Sequence, residues 1–245
     1  MSETPATSSP SGEGPGLSLP ARVLGILTSP RETFADVVAR PRWLGMMALV
    51  LIVTALGLGI FYSTEVGQTA FLDQQAEQAR AAGREIPEAQ WAVTQRMASY
   101  MGLITAAATV LIAPIMWLAI SGLLFVVFNV AMGGTATFRQ LFAVFVHSMA
   151  VTLVQTLFVT PLNYARASAT SATNLAVFLP MLDESSFLAK FLGTIDLFLV
   201  WWVIVLAIGL GVLFKRKTGP IATGLFVVYG IIAVIVAAFF GRGGA

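Results

Sequence analysis

The stretch "WLGMMALVLIVTALGLGIFY", Trp43–Tyr62, decides the fold class of this chain. It contains no charged residue and carries an aromatic side chain at each end. Crossing a bilayer core of about 30 Å takes roughly 20 apolar residues in a helix. Aromatic side chains are enriched at the two membrane–water interfaces. The stretch therefore predicts a transmembrane helix.

The composition of the whole chain supports the same conclusion. The 245 residues are 57% hydrophobic and only 11% charged, whereas soluble domains carry about 25% charged residues. A mean hydropathy of +0.85 leaves more apolar surface than one soluble core of this size can bury. The net charge of +2 is too small to indicate a nucleic-acid partner. The absence of cysteine excludes disulfides, thiolate catalysis and cysteine-based metal sites.

Four more apolar segments are long enough to cross the bilayer, which predicts an all-α, polytopic membrane protein with five transmembrane helices. The predicted spans are 43–62, 100–130, 140–159, 197–214 and 221–240, and the third is expected to stop before Pro161. The connector 65–97 predicts two amphipathic helices divided at Gly83 and Pro87, the second continuing into the next span. The apolar face of 187–192 predicts a helix that lies on the membrane.

The amino-terminal region divides into two parts ahead of the membrane domain 43–240. Residues 1–16 are rich in Ser, Pro and Gly and predict a disordered tail. Residues 17–42 predict short interfacial helices on the cytoplasmic side. Ser29 and Glu32 have capping-box spacing, with Pro30 at the first helical position. We expect Phe34, Val37 and Val38 to face lipid or the helix bundle.

Three stretches together resemble bacterial members of the Yip1 family. They are "RVLGILTSPRETFADVVARPRW" at 22–43, "ATNLAVFLP" at 172–180 and "LGTIDLFLVWWVIVLAIGLG" at 192–211. The resemblance implies a five-helix membrane domain with a cytoplasmic amino terminus, in the bacterial cytoplasmic membrane. Eukaryotic relatives bind Rab-type GTPases, but their "DLYGPFWI"-like motif is absent here, so that partner is not carried over. The resemblance implies no assigned reaction.

Asp196 is the one acidic residue that touches a predicted span. Intramembrane acids often mark ion paths, because an ionised Asp at the bilayer centre costs about 2.5–3.5 kcal/mol. Asp196 lies at the start of its span, however, so we expect it at the interface. This position favours a role in starting or joining helices over a ligand contact or proton coupling. Its expected partners are Arg166, Tyr100 and Arg242.

His147 is the lone histidine and falls within the third predicted span. One histidine without cysteine or a nearby carboxylate makes a poor metal site. We do not expect direct pairing with Asp196, because that residue is expected near Val159, about 18 Å away along the helix. We expect a neutral histidine hydrogen-bonded to a neighbouring helix, with a functional titrating group as the alternative.

The other polar or unusual residues within the spans favour structural roles. Pro114 and Asn129 predict a kink and interhelical hydrogen bonds, with a substrate passage as the alternative. Trp201 and Trp202 cannot share a helix face, so one is expected to pack between helices while the other meets lipid. We expect no cofactor and no metal at any of these positions.

Signatures of membrane enzymes are missing from the chain: there is no HExxH, paired intramembrane aspartates, GxSxG or Walker loop. The sequence therefore favours a non-catalytic protein that organises or scaffolds membranes through contacts with the lipid bilayer and an unknown membrane protein, which includes a second copy of itself. A small transporter or channel is the main alternative, and an enzyme acting on lipids is a third. Basic residues near span ends predict a cytoplasmic amino terminus and an external carboxyl terminus.

Overall fold

The computed structural model describes residues 16–81, 83–179, 181–182 and 186–241. Within those ranges the chain is all-α, as predicted, and an isolated bridge between Asn174 and Asp196 is its only β-type pairing. The α-helices are α1 Leu19–Thr28, α2 Pro30–Ala39, α3 Leu44–Ser63, α4 Glu65–Ala81, α5 Glu88–Ala98, α6 Met101–Phe125, α7 Phe138–Ser148, α8 Ala150–Ala165, α9 Phe187–Thr194, α10 Leu197–Leu213 and α11 Thr218–Gly241. A π-helix, Val126–Ala131, extends α6, and a 3-10 turn spans Leu175–Phe178. The predicted tail lies outside the described residues except for Gly16.

The spanning segments agree with the predicted ones to within a few residues at most ends. Four helices of the described chain are long and apolar enough to cross a membrane: α3, α6 with its π-helical extension, α7 together with α8, and α11. The fifth predicted span is α10, which has 17 apolar residues. At 1.5 Å per residue it is about 26 Å long, slightly shorter than a bilayer core.

Three details of the predicted helix boundaries are wrong. The third span continues past Pro161 to Ala165, because transmembrane helices tolerate proline where neighbouring groups satisfy the freed carbonyl. The same span is interrupted at Met149, which separates α7 from α8. A turn at residues 99–100 separates α5 from α6, so the amphipathic connector does not run on as one helix.

Helix α7 is the centre of the bundle. It contacts α1, α2, α3, α6, α8 and α10, and all eight residues 141–148 are buried. Its start is fixed by a capping box in which Thr137 and Gln140 each bond the other's backbone N–H. A helix that is buried on every side must satisfy any polar side chain it carries internally, which makes His147 and Ser148 informative.

The amino-terminal helices α1 and α2 form a hairpin that packs into this bundle. Ile26, Phe34 and Val37 have no exposed surface, and α2 packs against α7 and α10. Of the two environments expected for the apolar face of α2, the structure shows the bundle. The hairpin is therefore part of the core.

Close helix approaches depend on glycines at a few positions. A Cβ added to Gly209 in α10 would lie 2.6 Å from Val144 of α7 and 2.9 Å from the ring of Phe34. A Cβ on Gly57 of α3 would lie 2.4 Å from Thr156 of α8. At both positions the partner side chain occupies the space that a larger residue would need.

The outer helices leave wide apolar surfaces. In the most apolar window of α6 only 11% of residues are buried, against 61% in α7 with α8. The corresponding share for α11 is 17%. These surfaces have the composition that lipid or another membrane protein would cover.

Candidate functional site

Arg22, Asp36 and His147 meet where the amino-terminal hairpin packs on α7. Helix α1 begins after Ser18, whose hydroxyl accepts from the N–H of Ala21, and Pro20 lies in its first turn. Pro30 opens α2 as predicted, but the expected capping box at Ser29 is wrong because its side chain makes no capping bond. Ser29 has φ −138° and ψ 60°, and its carbonyl instead accepts from the hydroxyl of Thr33 at 3.0 Å.

Arg22 of α1 is the most heavily bonded side chain of the hairpin. Its Nε donates to Asp36 Oδ2 at 2.9 Å, and one terminal nitrogen lies 2.7 Å from the same oxygen. That nitrogen also donates to the carbonyl of Arg40 at 3.0 Å. The other terminal nitrogen donates to the carbonyl of Arg42 and lies 3.4 Å from His147 Nε2. A guanidinium has five N–H donors, and these contacts give each of them an acceptor.

His147 takes part in the cluster as a neutral acceptor. Its Nδ1 lies 2.8 Å from the carbonyl of Ala143, which can only accept, so Nδ1 carries the proton. Nε2 then accepts from Arg22, which has only donors. His147 is fully buried, and its partner lies on the neighbouring helix α1. The structure links it through Arg22 to a carboxylate, Asp36, which sequence reasoning did not expect.

Every N–H of the Arg22 guanidinium in this cluster has an acceptor within the protein. Arg22 is 3% exposed and Asp36 16% exposed, so the two opposite charges neutralise each other where water has little access. Asp36 Oδ1 also lies 3.6 Å from Arg40 and 3.4 Å from the N–H of Leu17. No Arg22 donor is left for a ligand. The arrangement therefore suits fixing the hairpin onto α7 and does not suit binding or proton transfer.

Arg22 and Asp36 were not singled out from the sequence. They lie 14 residues apart, and Arg22 is 125 residues from His147, so no local pattern connects the three. One available signal was that both charges fall within short amphipathic helices flanked by apolar residues. Charged residues are almost never fully buried unless they are paired.

Asp196 begins α10 as its N-cap residue. Its Oδ1 accepts from the N–H groups of Phe198 and Leu199. Its Oδ2 accepts from the hydroxyls of Ser171 at 2.5 Å and Thr173 at 2.7 Å. The expected partners Arg166 and Tyr100 are not bonded to it, and Arg242 lies outside the described residues. The physical reason is that the preceding loop supplies nearer donors.

Pro114 lies inside α6, which continues past it without interruption.

The two tryptophans near the start of α10 do not divide into one residue between helices and one that faces only lipid, as was expected. Trp202 donates from Nε1 to Ser148 of α7 at 2.9 Å. The ring of Trp201 packs 6.1 Å from that of Phe198 on its own helix. Both tryptophans pack at the edge of the core, so the interhelical bond belongs to Trp202.

Asn129, in the π-helix, makes a different bond from the one expected. Its amide donates to the carbonyl of Ala136 at 2.5 Å and closes the turn before α7. Its Oδ1 is buried without a partner. The residue joins a helix to the following loop rather than two helices.

A cavity of about 530 Å³ lies between α3 and α6 beside the turn of α6 that contains Pro114, although Pro114 does not line it. It opens to the outer surface of the bundle, where Ile112 and Met116 are about half exposed. Among the described residues, its lining is apolar apart from threonines and the indole of Trp202, and it includes no charged residue. The described residues contain no group of three histidine or carboxylate side chains placed to hold a metal ion. The bundle interior therefore offers apolar space and one closed charge cluster.

Comparison with known proteins places the chain in a family. A family model described as "Yip1 domain" matches residues 24–240, which covers the hairpin from the middle of α1 onward and the spanning helices. Neither the curated proteins nor the solved structures give a significant match. The matched range holds most of the chain, and the chain therefore belongs to the Yip1 domain family, a family of membrane proteins.

Proposed function

We propose that the chain is a non-catalytic scaffold that organises the membrane through contacts with lipid and with other membrane proteins. The observation that carries the proposal is the contrast between its interior and its exterior. The polar groups that enter the bundle at the hairpin bond one another, whereas α6 and α11 leave most of their apolar surface uncovered. In such a protein the outer faces of α6 and α11 are available for contacts with lipid or other proteins, and the core fixes the positions of these helices.

The rival function, transport, needs a polar passage through the bundle. Within the described residues, the cavity beside Pro114 is lined by apolar groups with only scattered hydroxyls. His147 is bonded through both ring nitrogens, and Asp196 is occupied as a helix cap. These contacts favour the scaffold.

Photocrosslinking in native membranes tests the scaffold proposal. A benzophenone amino acid placed at Leu111 of α6 or Ile231 of α11, which are 67% and 54% exposed, should give protein adducts of discrete mass. The same group at Leu24 of α1, which is 64% exposed, is the matched control outside the spanning surfaces. Adducts with lipid alone at Leu111 and Ile231 would contradict the scaffold proposal.

A second measurement addresses transport directly. The purified chain in sealed liposomes should give no solute or ion flux above that of empty liposomes. Flux that is abolished by His147→Ala or Asp196→Ala would overturn the scaffold function in favour of a transporter.

We further infer that the amino terminus is cytoplasmic and the carboxyl terminus external, in a bacterial cytoplasmic membrane. The basic run "KRK" at 215–217 supports this orientation, because clustered basic residues beside a span resist translocation. Arg216 donates to the carbonyl of Met132 at 2.9 Å, so this run and the turn before α7 share one end of the bundle.

A further inference from the structure

A polar cavity of about 750 Å³ lies at the end of the bundle opposite the hairpin. Helix α4 forms one wall of this cavity, and the loop after α8 together with α9 forms the others. Helix α4 starts two residues after α3 ends, and Arg166 directly follows α8. The cavity therefore lies where spanning helices end, at the depth expected for lipid headgroups.

Four charged side chains line the cavity, two of them acidic and two basic. Asp73 and Glu77 are one turn apart on α4 and both line the cavity. Arg166 and Lys190 line it from the loop and from α9. Among the described residues, no salt bridge of 4.0 Å or less joins these acids to these bases. The cavity therefore has an acidic wall on α4 and a basic wall on the loop after α8 and on α9.

The rim of the cavity is apolar and exposed. Phe178, Leu179 and Met181 are 60%, 40% and 84% exposed, and Leu179 also lines the cavity. Phe187 and Leu188 at the start of α9 are about half exposed, at 51% and 49%. Large apolar side chains clustered at a surface mark contact with a membrane or a protein, and here they lie beside a charged cavity at the ends of spanning helices.

We propose that this cavity binds the headgroup of a zwitterionic phospholipid with a primary ammonium, of the phosphatidylethanolamine class. Arg166 and Lys190 bind the phosphate, and Asp73 and Glu77 accept hydrogen bonds from the ammonium. The apolar rim contacts the acyl chains. This site goes beyond the scaffold role, because it exists whether or not the chain gathers protein partners.

The residue types discriminate between lipid classes. A primary ammonium has three N–H donors for carboxylates, whereas a quaternary choline has none and is recognised by aromatic cages. The described residues that line this cavity include no aromatic side chain. An anionic headgroup without an ammonium leaves Asp73 and Glu77 unpaired beside a negative ligand. The cavity therefore prefers ethanolamine to both choline and glycerol headgroups.

The test measures lipid retention by the purified full chain. Detergent-solubilised protein is titrated with dioleoyl phosphatidylethanolamine, phosphatidylcholine or phosphatidylglycerol, and bound lipid is counted by native mass spectrometry. We expect the ethanolamine lipid to bind at least about tenfold more tightly. The reason is that one hydrogen bond to a charged group contributes at least the free energy that corresponds to a tenfold change in affinity. Equal binding of the ethanolamine and choline lipids would overturn the proposal.

Two double variants separate the walls. Asp73→Asn/Glu77→Gln should lose the ethanolamine preference and gain affinity for phosphatidylglycerol, because the basic wall remains. Arg166→Gln/Lys190→Gln should weaken the binding of both the ethanolamine lipid and phosphatidylglycerol about tenfold or more. The matched control Glu85→Gln/Glu88→Gln removes exposed acids of the same connector that do not line the cavity, and it should bind as the unaltered chain does.

Two outcomes would overturn the assignment even if the ethanolamine lipid binds. If the acidic-wall variant stays monodisperse in gel filtration and keeps its lipid preference, Asp73 and Glu77 do not read the headgroup. If soluble phosphoethanolamine binds as tightly as the lipid, the ligand is a free phosphate ester and the lipid assignment is wrong. The crosslinking experiment at α6 and α11 is independent of both results, so a failure of one proposal leaves the other to be judged separately.

Discussion

At the scale of the residue, the hairpin depends on the shape of one guanidinium. Arg22 reaches a carboxylate, two backbone carbonyls and an imidazole nitrogen from a single planar group. A lysine at this position has three donors on one nitrogen and cannot span those acceptors. Removing the arginine would leave Asp36 charged in a place with little water.

Arg22→Met should therefore be strongly destabilising. Breaking a buried ion pair by removing one partner costs about 3–5 kcal/mol, and SDS-induced unfolding in mixed micelles measures the loss. The double variant Arg22→Met/Asp36→Leu should be less destabilised than the two single losses added together, because it removes the buried arginine and its carboxylate partner together. Arg31→Met, at an exposed position of α2, is the control and should change stability by less than about 0.5 kcal/mol. Additive losses in the double variant would show that Arg22 and Asp36 are not coupled.

Two helix starts that look alike in sequence should respond differently to alanine. Ser29→Ala should cost less than about 0.5 kcal/mol, because its side chain makes no capping bond. Asp196→Ala should cost about 1–2 kcal/mol, because Asp196 caps α10 and also accepts from Ser171 and Thr173. The same unfolding titration compares them. A larger loss at Ser29 than at Asp196 would contradict this ranking.

At the scale of the element, short helices become stable by docking. Helices α1 and α2 have 10 residues each, and isolated helices of that length are marginal in water. Phe34 fits over Gly209 of α10, and the amide of Gln140 donates to the carbonyl of Val38 at 3.2 Å. The hairpin therefore owes its structure to α7 and α10 more than to its own capping.

Gly209→Leu should displace the hairpin from the bundle. The new side chain would meet Val144 and Phe34 at less than 3 Å, and Phe34 belongs to α2, a helix of 10 residues that depends on this packing. A cysteine introduced at the fully buried Val37 reports the displacement, because this chain has no other cysteine. We expect slow maleimide labelling in the parent Val37→Cys protein and at least tenfold faster labelling after Gly209→Leu.

The control for this experiment is Gly122→Leu in α6, where an added Cβ meets nothing within 4 Å. Labelling of Val37→Cys should not change with that variant. Unchanged labelling after Gly209→Leu as well would mean that close packing at Gly209 does not hold the hairpin.

The sequence predicts an element correctly where one local property, such as the length of an uncharged apolar run, is enough to define it. The uncharged run at 43–62 became α3, Leu44–Ser63, because length and hydropathy alone set a transmembrane helix. Predicted helix ends were wrong where the packing of neighbouring helices determines how far a helix continues. Pro161 is an example, because α8 continues through it to Ala165. The loop after α8 supplies the hydroxyl partners of Asp196, and they could not be foreseen because their position depends on how that loop folds back.

The buried cluster was outside the reach of sequence reasoning for a similar reason. His147 could be recognised as a residue that needs a hydrogen bond inside the bundle. Its partner could not be named, because that required knowing that α1 folds back beside α7. A resemblance that runs through the hairpin shows that the segment belongs to the domain, but it does not give contacts.

At the scale of the whole molecule, the two ends of the bundle differ in chemistry. One end holds the hairpin, the turn before α7 and the "KRK" run, which contact one another through Gln140, Val38 and Arg216. The other end holds α4, α9 and the mixed-charge cavity. Because α3, α6, α7 with α8, α10 and α11 alternate between these ends, we predict that the hairpin and the end of α11 lie on opposite sides of the membrane.

The orientation follows from which end carries more basic residues close to spans. Eight basic residues belong to the hairpin end and six to the other: Arg22, Arg31, Arg40, Arg42, Arg139, Lys215, Arg216 and Lys217, against Arg80, Arg84, Arg96, Arg166, Lys190 and Arg242. Charges near span ends carry the most weight for orientation. By this criterion six basic residues count at the hairpin end, without Arg22 and Arg31, and four at the other end, without the distant Arg80 and Arg84. With the "KRK" run, the hairpin end carries more basic residues close to spans than the other end, which predicts that the hairpin end is cytoplasmic.

Single cysteines in this cysteine-free chain test the predicted orientation. Thr135, in the turn before α7, and Thr170, in the loop after α8, are both exposed and lie at opposite ends of the bundle. In intact cells an impermeant maleimide should label Thr170→Cys and Gly244→Cys, because both positions are predicted to be external. Thr135→Cys and Thr218→Cys should react only after the membrane is permeabilised, since both lie beside basic residues that are held in the cytoplasm. The reverse pattern would place the hairpin outside and invert the topology, whereas labelling of Thr170→Cys without Gly244→Cys would mean that α11 does not cross the membrane.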